Sequence, residues 1–559
     1  MTKLKRFIVF ISLFALLWTV QVYAGSPKVA IASAHPLATD AGFEIIAKGG
    51  NVFDAAVAVS AALAVVEPAG SGLGGGGYWL LHRAKDHMEV MIDGREKAPL
   101  AAHKNMFLDK TGKVIPKLSL DGALAAAIPG LPAGLVHLSE KYGRLSLAES
   151  LAPAIHYAKN GFAITERHRK MLTFRVDALK KNNNTADIFL VNGAVPKPFA
   201  ILKQPDLANT IKRLAKSGRD GFYSGEVADK LVEGTRKAGG IWSQEDLDAY
   251  QVVERKPVKG SYQGITITSA PPSSSGGIVL VEALNILSGF DLQKTDETTR
   301  KHLITEAMRR AYHDRALYLG DGDFIDMPIQ RLLSLDYAAG LRSSIRPDKA
   351  LPSDFLSGDL SDQNQGTQTT HFSIIDGDGN RVAATLSINA AFGAGFAPEG
   401  TGVLLNNEMD DFVSLPGNMN GYGLVGGVAN SIAPGKRMLS SMTPTFLETP
   451  DRIGVLGTPG GSRIISMVLL GILDFAKGNN PDSWVSIPRF HHQFIPDVIE
   501  YEQGALASDE ISKLSAIGHH LKETKRHYGD MQAVQLHKGT RKLTAASDPR
   551  GEGKAWVNP

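Results

Sequence analysis

Gln368-Thr369-Thr370-His371-Phe372-Ser373 stands well past the middle of the chain, at a join between two unlike kinds of sequence. Before it, residues 357–368 are rich in Ser, Asp, Gln, Asn, Gly and Thr and hold few side chains that could enter a core. Such a run reads as a loop able to fold back on its own backbone. After it, residues 370–375 and 382–389 read as two strands joined by Asp376-Gly377-Asp378-Gly379-Asn380, a strong turn signal. Asp376, Asp378 and Asn380 imitate the opening of an EF-hand loop. Arg381 then stands where that loop needs glycine and Ser387 where it needs a bidentate glutamate, so the segment reads as a plain hairpin.

The Thr369-Thr370 pair is open to two readings. Two adjacent threonines are ordinary strand residues, because β-branched side chains suit a pleated surface. Alternatively the chain is cut before Thr369. A threonine hydroxyl is a weak nucleophile that needs a base. The α-amine of a new N-terminus, with an unperturbed pKa of roughly 7.7–8.0, is such a base near neutral pH. Before the cut that nitrogen is a non-basic amide, so the uncut chain is inactive. The same hydroxyl can attack the Gln368 carbonyl, form an ester by acyl shift, and leave water to finish the cut.

Working outward, composition is that of an ordinary globular protein, with 43% hydrophobic and 21% charged residues in 559. Cysteine is absent, which excludes disulfides, thiolate metal sites and a cysteine nucleophile. Residues 1–24 read as an export signal: Lys3, Lys5 and Arg6, an uncharged apolar run over residues 7–20, then Val22-Tyr23-Ala24 with small residues where a signal peptidase reads. The apolar run is shorter than the roughly 20 residues of a membrane-spanning helix; retention as an anchor is the alternative. The location expected is periplasmic or secreted. The full chain carries 60 Lys and Arg against 57 Asp and Glu, so loss of the leader brings the charges into balance. No basic stripe marks a nucleic-acid partner.

Residues 55–66 are apolar almost all round and read as a buried helix capped by Asp54. The glycine run over residues 71–77 lacks a P-loop lysine and dinucleotide spacing, so close backbone packing is expected of it. Residues 78–82 and 89–93 read as strands, and 135–141, 147–159, 207–216, 278–287, 306–319 and 464–476 as helices. Residues 180–184 read as an exposed loop. No G-x-S-x-G elbow and no H-E-x-x-H zinc motif occurs. His491 and His492 are adjacent, and a satisfied structural role is expected of them rather than metal binding.

The stretch at 368–373 resembles the processing site of the γ-glutamyltranspeptidase family, also called glutathione hydrolases. The likeness continues through residues 33–39, 49–54, 67–77, 93–99, 271–277, 406–412, 422–427, 439–442, 459–463 and 488–492, in order and at suitable intervals. The resemblance implies an α+β fold of the N-terminal-nucleophile hydrolase class, a four-layer αββα sandwich with two stacked central sheets. It implies cleavage between Gln368 and Thr369 into subunits 25–368 and 369–559, which stay together as a heterodimer. Carried over residue by residue, Thr369 is the nucleophile and Ser387 its hydroxyl support. The amides of Gly460 and Gly461 form the oxyanion hole. Arg95, Ser440 and Ser441 hold a substrate α-carboxylate, and Asn389, Glu408 and Asp411 its α-ammonium. Tyr422 gates a lid over residues 416–427. Substrates are glutathione and other γ-glutamyl compounds, and acceptors are water, amino acids or dipeptides; neither cofactor nor metal is implied. Three positions depart from the family pattern. Ser387 replaces a frequent threonine, which implies looser support and slower self-cleavage. Gly94 is often bulkier, which implies a more mobile Arg95, and Met438 replaces a frequent proline. Two rivals are an acylase of the same fold acting on glutaryl cephalosporins and an unprocessed, non-catalytic exported binding protein. A glutaryl chain lacks the α-amine and would leave Glu408 and Asp411 as unpaired carboxylates.

Overall fold

The computed structural model describes residues 28–356, 369–415, 417 and 419–559. The leader and the Gln368 side of the expected cut lie outside the described residues. Two antiparallel sheets dominate. The first has seven strands in the order Lys554–Val557, Val29–Ser33, Thr370–Asp376, Arg381–Ser387, Gly76–Arg83, Met88–Gly94 and Val253–Arg255. The second has six: Lys542–Ser547, Gln532–His537, Arg452–Gly457, Thr445–Glu448, Ile265–Ser269 and Val258–Tyr262. Both draw strands from either side of Thr369, so the segments before and after it are interleaved.

Strand alternation sorts the layers. In the Thr370–Asp376 strand, Phe372 and Ile374 pack under the helices Pro36–Ala47, Val52–Val66, Leu131–Tyr142 and Leu147–Asn160. Ile375 faces the other way, into a core shared with the second sheet and the helices Gly276–Leu287, Glu297–Tyr318 and Ile464–Ala476. This is the four-layer αββα order. Between the sheets lies a polar seam. His371 Nδ1 meets Thr385 Oγ1 at 2.8 Å, and Ser373 Oγ donates to the Gln532 carbonyl at 3.0 Å. Burial drops the His371 pKa to about 3, so the ring is neutral. It fits because a Cβ on Gly457 would stand 2.2 Å from its Cε1.

Most helices and strands fall where the periodicity puts them, with three corrections. The helix expected from residue 55 begins at Val52 and is capped by Asn51, which accepts from Phe53 N and Asp54 N at 2.8 and 3.0 Å. Asp54 completes the capping box and also takes the Arg144 amide. The expected loop at 180–184 runs into a helix, Asn183–Phe189, capped by Asn182. The helix expected over 306–319 begins earlier, at Glu297. The hairpin turn is as expected, with Asp376 accepting the amides of Asp378 and Asn380, each at 2.9 Å. The glycine run packs backbone on backbone: a Cβ on Gly74 or Gly75 would lie 2.2 Å from Leu404 O or 2.1 Å from Ser387 O. Among the described residues no helix is long and apolar enough to cross a membrane.

Candidate active site

Thr369 sits immediately before the third strand of the first sheet and is 4% exposed. The register pairs Leu386 with Thr370 and Thr385 with His371. Extended by one step, it sets Ser387 opposite Thr369. Both then lie on the face that looks at the second sheet, as the His371–Thr385 contact requires. Ser387 Oγ accepts the Asn389 amide at 2.7 Å. A small cleft opens there, lined by Thr369, Ser387, Arg95, Asn389, Asp411, Tyr422, Ser440, Ser441 and Gly461. The residues named from sequence therefore converge on one place. Glu408 joins through Arg95, and Gly460 is the chain neighbour of Gly461.

The charged part differs from expectation. Arg95 is 1% exposed and already engaged: Nη1 lies 2.6 Å from Glu408 Oε2, Nη2 2.5 Å from Asp411 Oδ2, and Nε 3.4 Å from the Met438 carbonyl. At Gly94 a Cβ would stand 2.8 Å from the Trp79 ring, so the bulkier residue frequent in the family would need that ring to shift. Glu408 and Asp411 are consequently paired with Arg95, and a glutaryl ligand would not leave them without a partner as expected from sequence. A count of charge replaces that expectation. Glu96, absent from the sequence reading, lies 3.4 Å from Arg95 Nη1 and is fully buried. Three carboxyl groups thus surround one guanidinium. Burial and its Glu408 neighbour push Glu96 far above the carboxylate range, and burial also raises Glu408 despite Arg95. Burial works against the charge on Arg95, but Glu408, Glu96 and Asp411 together hold its pKa well above normal. Glu96 Oε1, both Glu408 oxygens and Asn389 Oδ1 are buried acceptors that receive no well-formed hydrogen bond among the described residues.

Asn389 adopts φ 70°, a left-handed conformation uncommon outside glycine, and its Nδ2 donates to Asn407 O at 2.8 Å. Also lining the cavity, Ser440 Oγ accepts from Met442 N at 3.0 Å and Ser441 Oγ from Arg315 Nη2 at 3.2 Å. Gly460 (φ 144°) and Gly461 (φ 57°) follow the Arg452–Gly457 strand and lead into the Ile464–Ala476 helix. Their amides thus sit at the positive end of a helix dipole. The Tyr422 hydroxyl donates to Asn389 O at 2.9 Å, and its ring lies where a Cβ on Gly461 would be, 2.3 Å from Cδ1. The loop is clipped down by Gly421 N on Asp410 Oδ2 at 2.7 Å and by Asn420 on Asp411 at 3.2 Å. His491 and His492 are satisfied, by Ser466 and Gln493 and by Asp497 respectively. Sequence reasoning missed Glu96, Asp410 and Arg315. The first two stand inside quoted motifs, beside residues that were chosen; Arg315 is one basic residue of a long helix and carries no local signal.

A family model described as gamma-glutamyltranspeptidase matches residues 38–557. The glutathione hydrolase proenzyme of Pseudomonas sp. (strain A14) is 44% identical over 503 residues, covering 89% of this chain and 87% of that one. That of Escherichia coli (strain K12) is 40% identical over 525 residues, covering 93% and 90%. Among solved structures, the cephalosporin acylase of Bacillus halodurans superposes with a TM-score of 0.85 at 27% identity, covering 97% of this chain and 99% of that one. The interleaved sheets, the threonine at the head of a central strand and these likenesses agree: the chain belongs to the γ-glutamyltranspeptidase family.

Proposed function

We propose that this chain is an exported γ-glutamyltranspeptidase and glutathione hydrolase that cuts itself before Thr369. The observation that carries the reading is the cavity's lining: surplus buried carboxyl groups and buried acceptors without a hydrogen bond, two serine hydroxyls, and Thr369 alongside. A γ-glutamyl head group brings an α-ammonium to the acids and an α-carboxylate to the serines, which leaves its γ-carbonyl for Thr369. Arg95, released in part by the arriving ammonium, contributes its planar fork to the carboxylate.

The freed α-amine of Thr369 takes the hydroxyl proton as Oγ attacks the γ-carbonyl. The amides of Gly460 and Gly461 receive the oxyanion, a service that contributes on the order of 3–4 kcal/mol per donor. The C–N bond breaks, the amine gives its proton to the leaving nitrogen, and a γ-glutamyl ester remains. Water, or the amine of an amino acid or dipeptide, then attacks the ester and restores the hydroxyl. The subunits are residues 25–368 and 369–559, and the location is periplasmic or secreted. The cephalosporin acylase likeness favours one second reading, a glutaryl acylase.

Intact mass and N-terminal sequencing of the wild type beside Thr369→Ala test the proposal. The expected result is two chains in the wild type, one beginning at Thr369, a single chain in the variant, and release of glutamate from glutathione by the wild type alone. A wild type that stays whole would support the non-catalytic binding protein instead. Faster turnover of glutaryl than of γ-glutamyl compounds would select the acylase.

A further inference from the structure

Arg315 lies in the last turn of the Glu297–Tyr318 helix and is 4% exposed. Among the described residues it has no carboxylate within ion-pair distance. Burying a guanidinium is expensive, and burial pulls its pKa down to about 10 against the opposing influence of Tyr312 and of Asp411, which acts from beyond ion-pair distance. Its N–H groups go to hydroxyls. Nη2 donates to Ser441 Oγ at 3.2 Å and Nε to Ser275 Oγ at 2.9 Å. Ser275 Oγ in turn donates to the Ser440 carbonyl at 2.7 Å. One guanidinium therefore grips both residues of the serine pair, one at its side chain and the other at its backbone.

The direction of these bonds matters. A hydroxyl has one proton to give and two lone pairs to fill. Ser441 Oγ is already an acceptor from Arg315, and Ser440 Oγ an acceptor from the Met442 amide. Neither donates its own proton to another group among the described residues. Each hydroxyl therefore keeps a proton that it can give to a group bound in the cavity the two serines line. Arg95 is meanwhile committed to Glu408 and Asp411. Arg315 adds a second positive charge beside the serine pair, one that makes no ion pair among the described residues and feels Asp411 only at longer range.

We infer that Arg315 is a positioning residue: it orients the Ser440 and Ser441 hydroxyls as donors to the substrate α-carboxylate and supplies the positive field that balances it. The inference rests on the γ-glutamyl reading above. Arg315 acts through the serines, so its removal weakens recognition of the carboxylate and leaves the attacking threonine and the oxyanion amides in place.

The test uses the processed enzyme, as wild type, Arg315→Gln, Arg315→Lys and Ser275→Ala, with three p-nitroanilides. γ-Glutamyl anilide carries both α-groups, 4-aminobutanoyl anilide lacks the α-carboxylate, and glutaryl anilide lacks the α-amine. The wild type is expected to prefer the γ-glutamyl compound. Arg315→Gln is expected to raise KM for the two carboxylate-bearing compounds by about 10- to 100-fold, the worth of a charge-assisted hydrogen bond, with kcat changed less than threefold. KM for 4-aminobutanoyl anilide should stay within about twofold, as no carboxylate contact is there to lose. Arg315→Lys should recover part of the loss, and Ser275→Ala, which cuts one leg of the grip, should show a smaller loss with the same selectivity. If Arg315→Gln fails to fold or process, the Ser275→Ala pattern decides. Equal losses on all three compounds, or none, overturn the inference while leaving the γ-glutamyl reading intact. A wild type indifferent to the α-carboxylate overturns both.

Discussion

Ser387 shows how a single atom is shared between local structure and chemistry. Its hydroxyl holds the Asn389 amide at 2.7 Å in a left-handed turn, and the strand register sets it across from Thr369. Ser387→Ala leaves that buried N–H without a partner, a cost of about 1–3 kcal/mol. Self-cleavage of the purified precursor, followed by gel densitometry, should slow by roughly tenfold or more for a loss of that size. Ser387→Thr keeps the oxygen, adds the methyl that restricts χ1, and should cleave at least as fast as wild type. An alanine variant that splits at the wild-type rate would remove Ser387 from the processing machinery. The identities of these residues were legible because each stands in a short motif with its own chemical logic. Their pairing was not. That Arg95 would spend its fork on Glu408 and Asp411, with Glu96 as a third acid, depends on two segments some three hundred residues apart meeting in space, and no spacing along the chain encodes it.

The expected lid, which carries Tyr422, and the glycine loop form one mechanical unit at the level of elements. The Tyr422 ring occupies the space a side chain on Gly461 would need, and its hydroxyl reaches Asn389 O. Gly461→Ala adds a methyl 2.3 Å from Tyr422 Cδ1 at a residue with φ 57°, so both the backbone and the lid resist it. The lid should lift. Limited proteolysis should cut within residues 414–427 faster than in wild type, and kcat/KM should fall by about tenfold or more as the loop loses its seat. Equal proteolysis rates with unchanged kcat/KM would show that lid and glycine loop are not coupled. Element identity was readable wherever periodicity was strong, as at the Ile464–Ala476 helix, predicted residue for residue. Boundaries failed where capping chemistry lay one turn outside the apolar pattern. Asn51 rather than Asp54 starts the Val52–Val66 helix, and Asn182 starts a helix inside a run that composition marks as loop.

The two segments on either side of Thr369 are held together by more than interleaved strands, and strand pairing across some five hundred residues, as between Val29–Ser33 and Lys554–Val557, leaves no local trace in a sequence. Near Thr369, Arg167 of the first segment lies 3.2 Å from Asp530 of the second, with Glu67 beside them and near the Thr370 hydroxyl. Burial pushes both Glu67 and Asp530 up to about 7, against the pull of Arg167. A folded-state pKa above the unfolded value means that folding takes up protons. The contribution of Glu67 is therefore fully present below about pH 4.5 and is lost as pH rises towards 7. For a shift of that size the loss is on the order of 3 kcal/mol. Glu67→Gln mimics the protonated acid at every pH and also relieves Asp530 of a like-charged neighbour. Comparing variant with wild type cancels the other titrating groups, including the buried neutral histidines, whose effect runs the opposite way. Thermal melts of the two proteins should nearly coincide at pH 5. By pH 8 the variant should be the more stable, by a few degrees in a chain of this size. A gap that stays constant from pH 5 to 8 would show that Glu67 is ionised throughout and that Arg167, not burial, governs the join between the two segments.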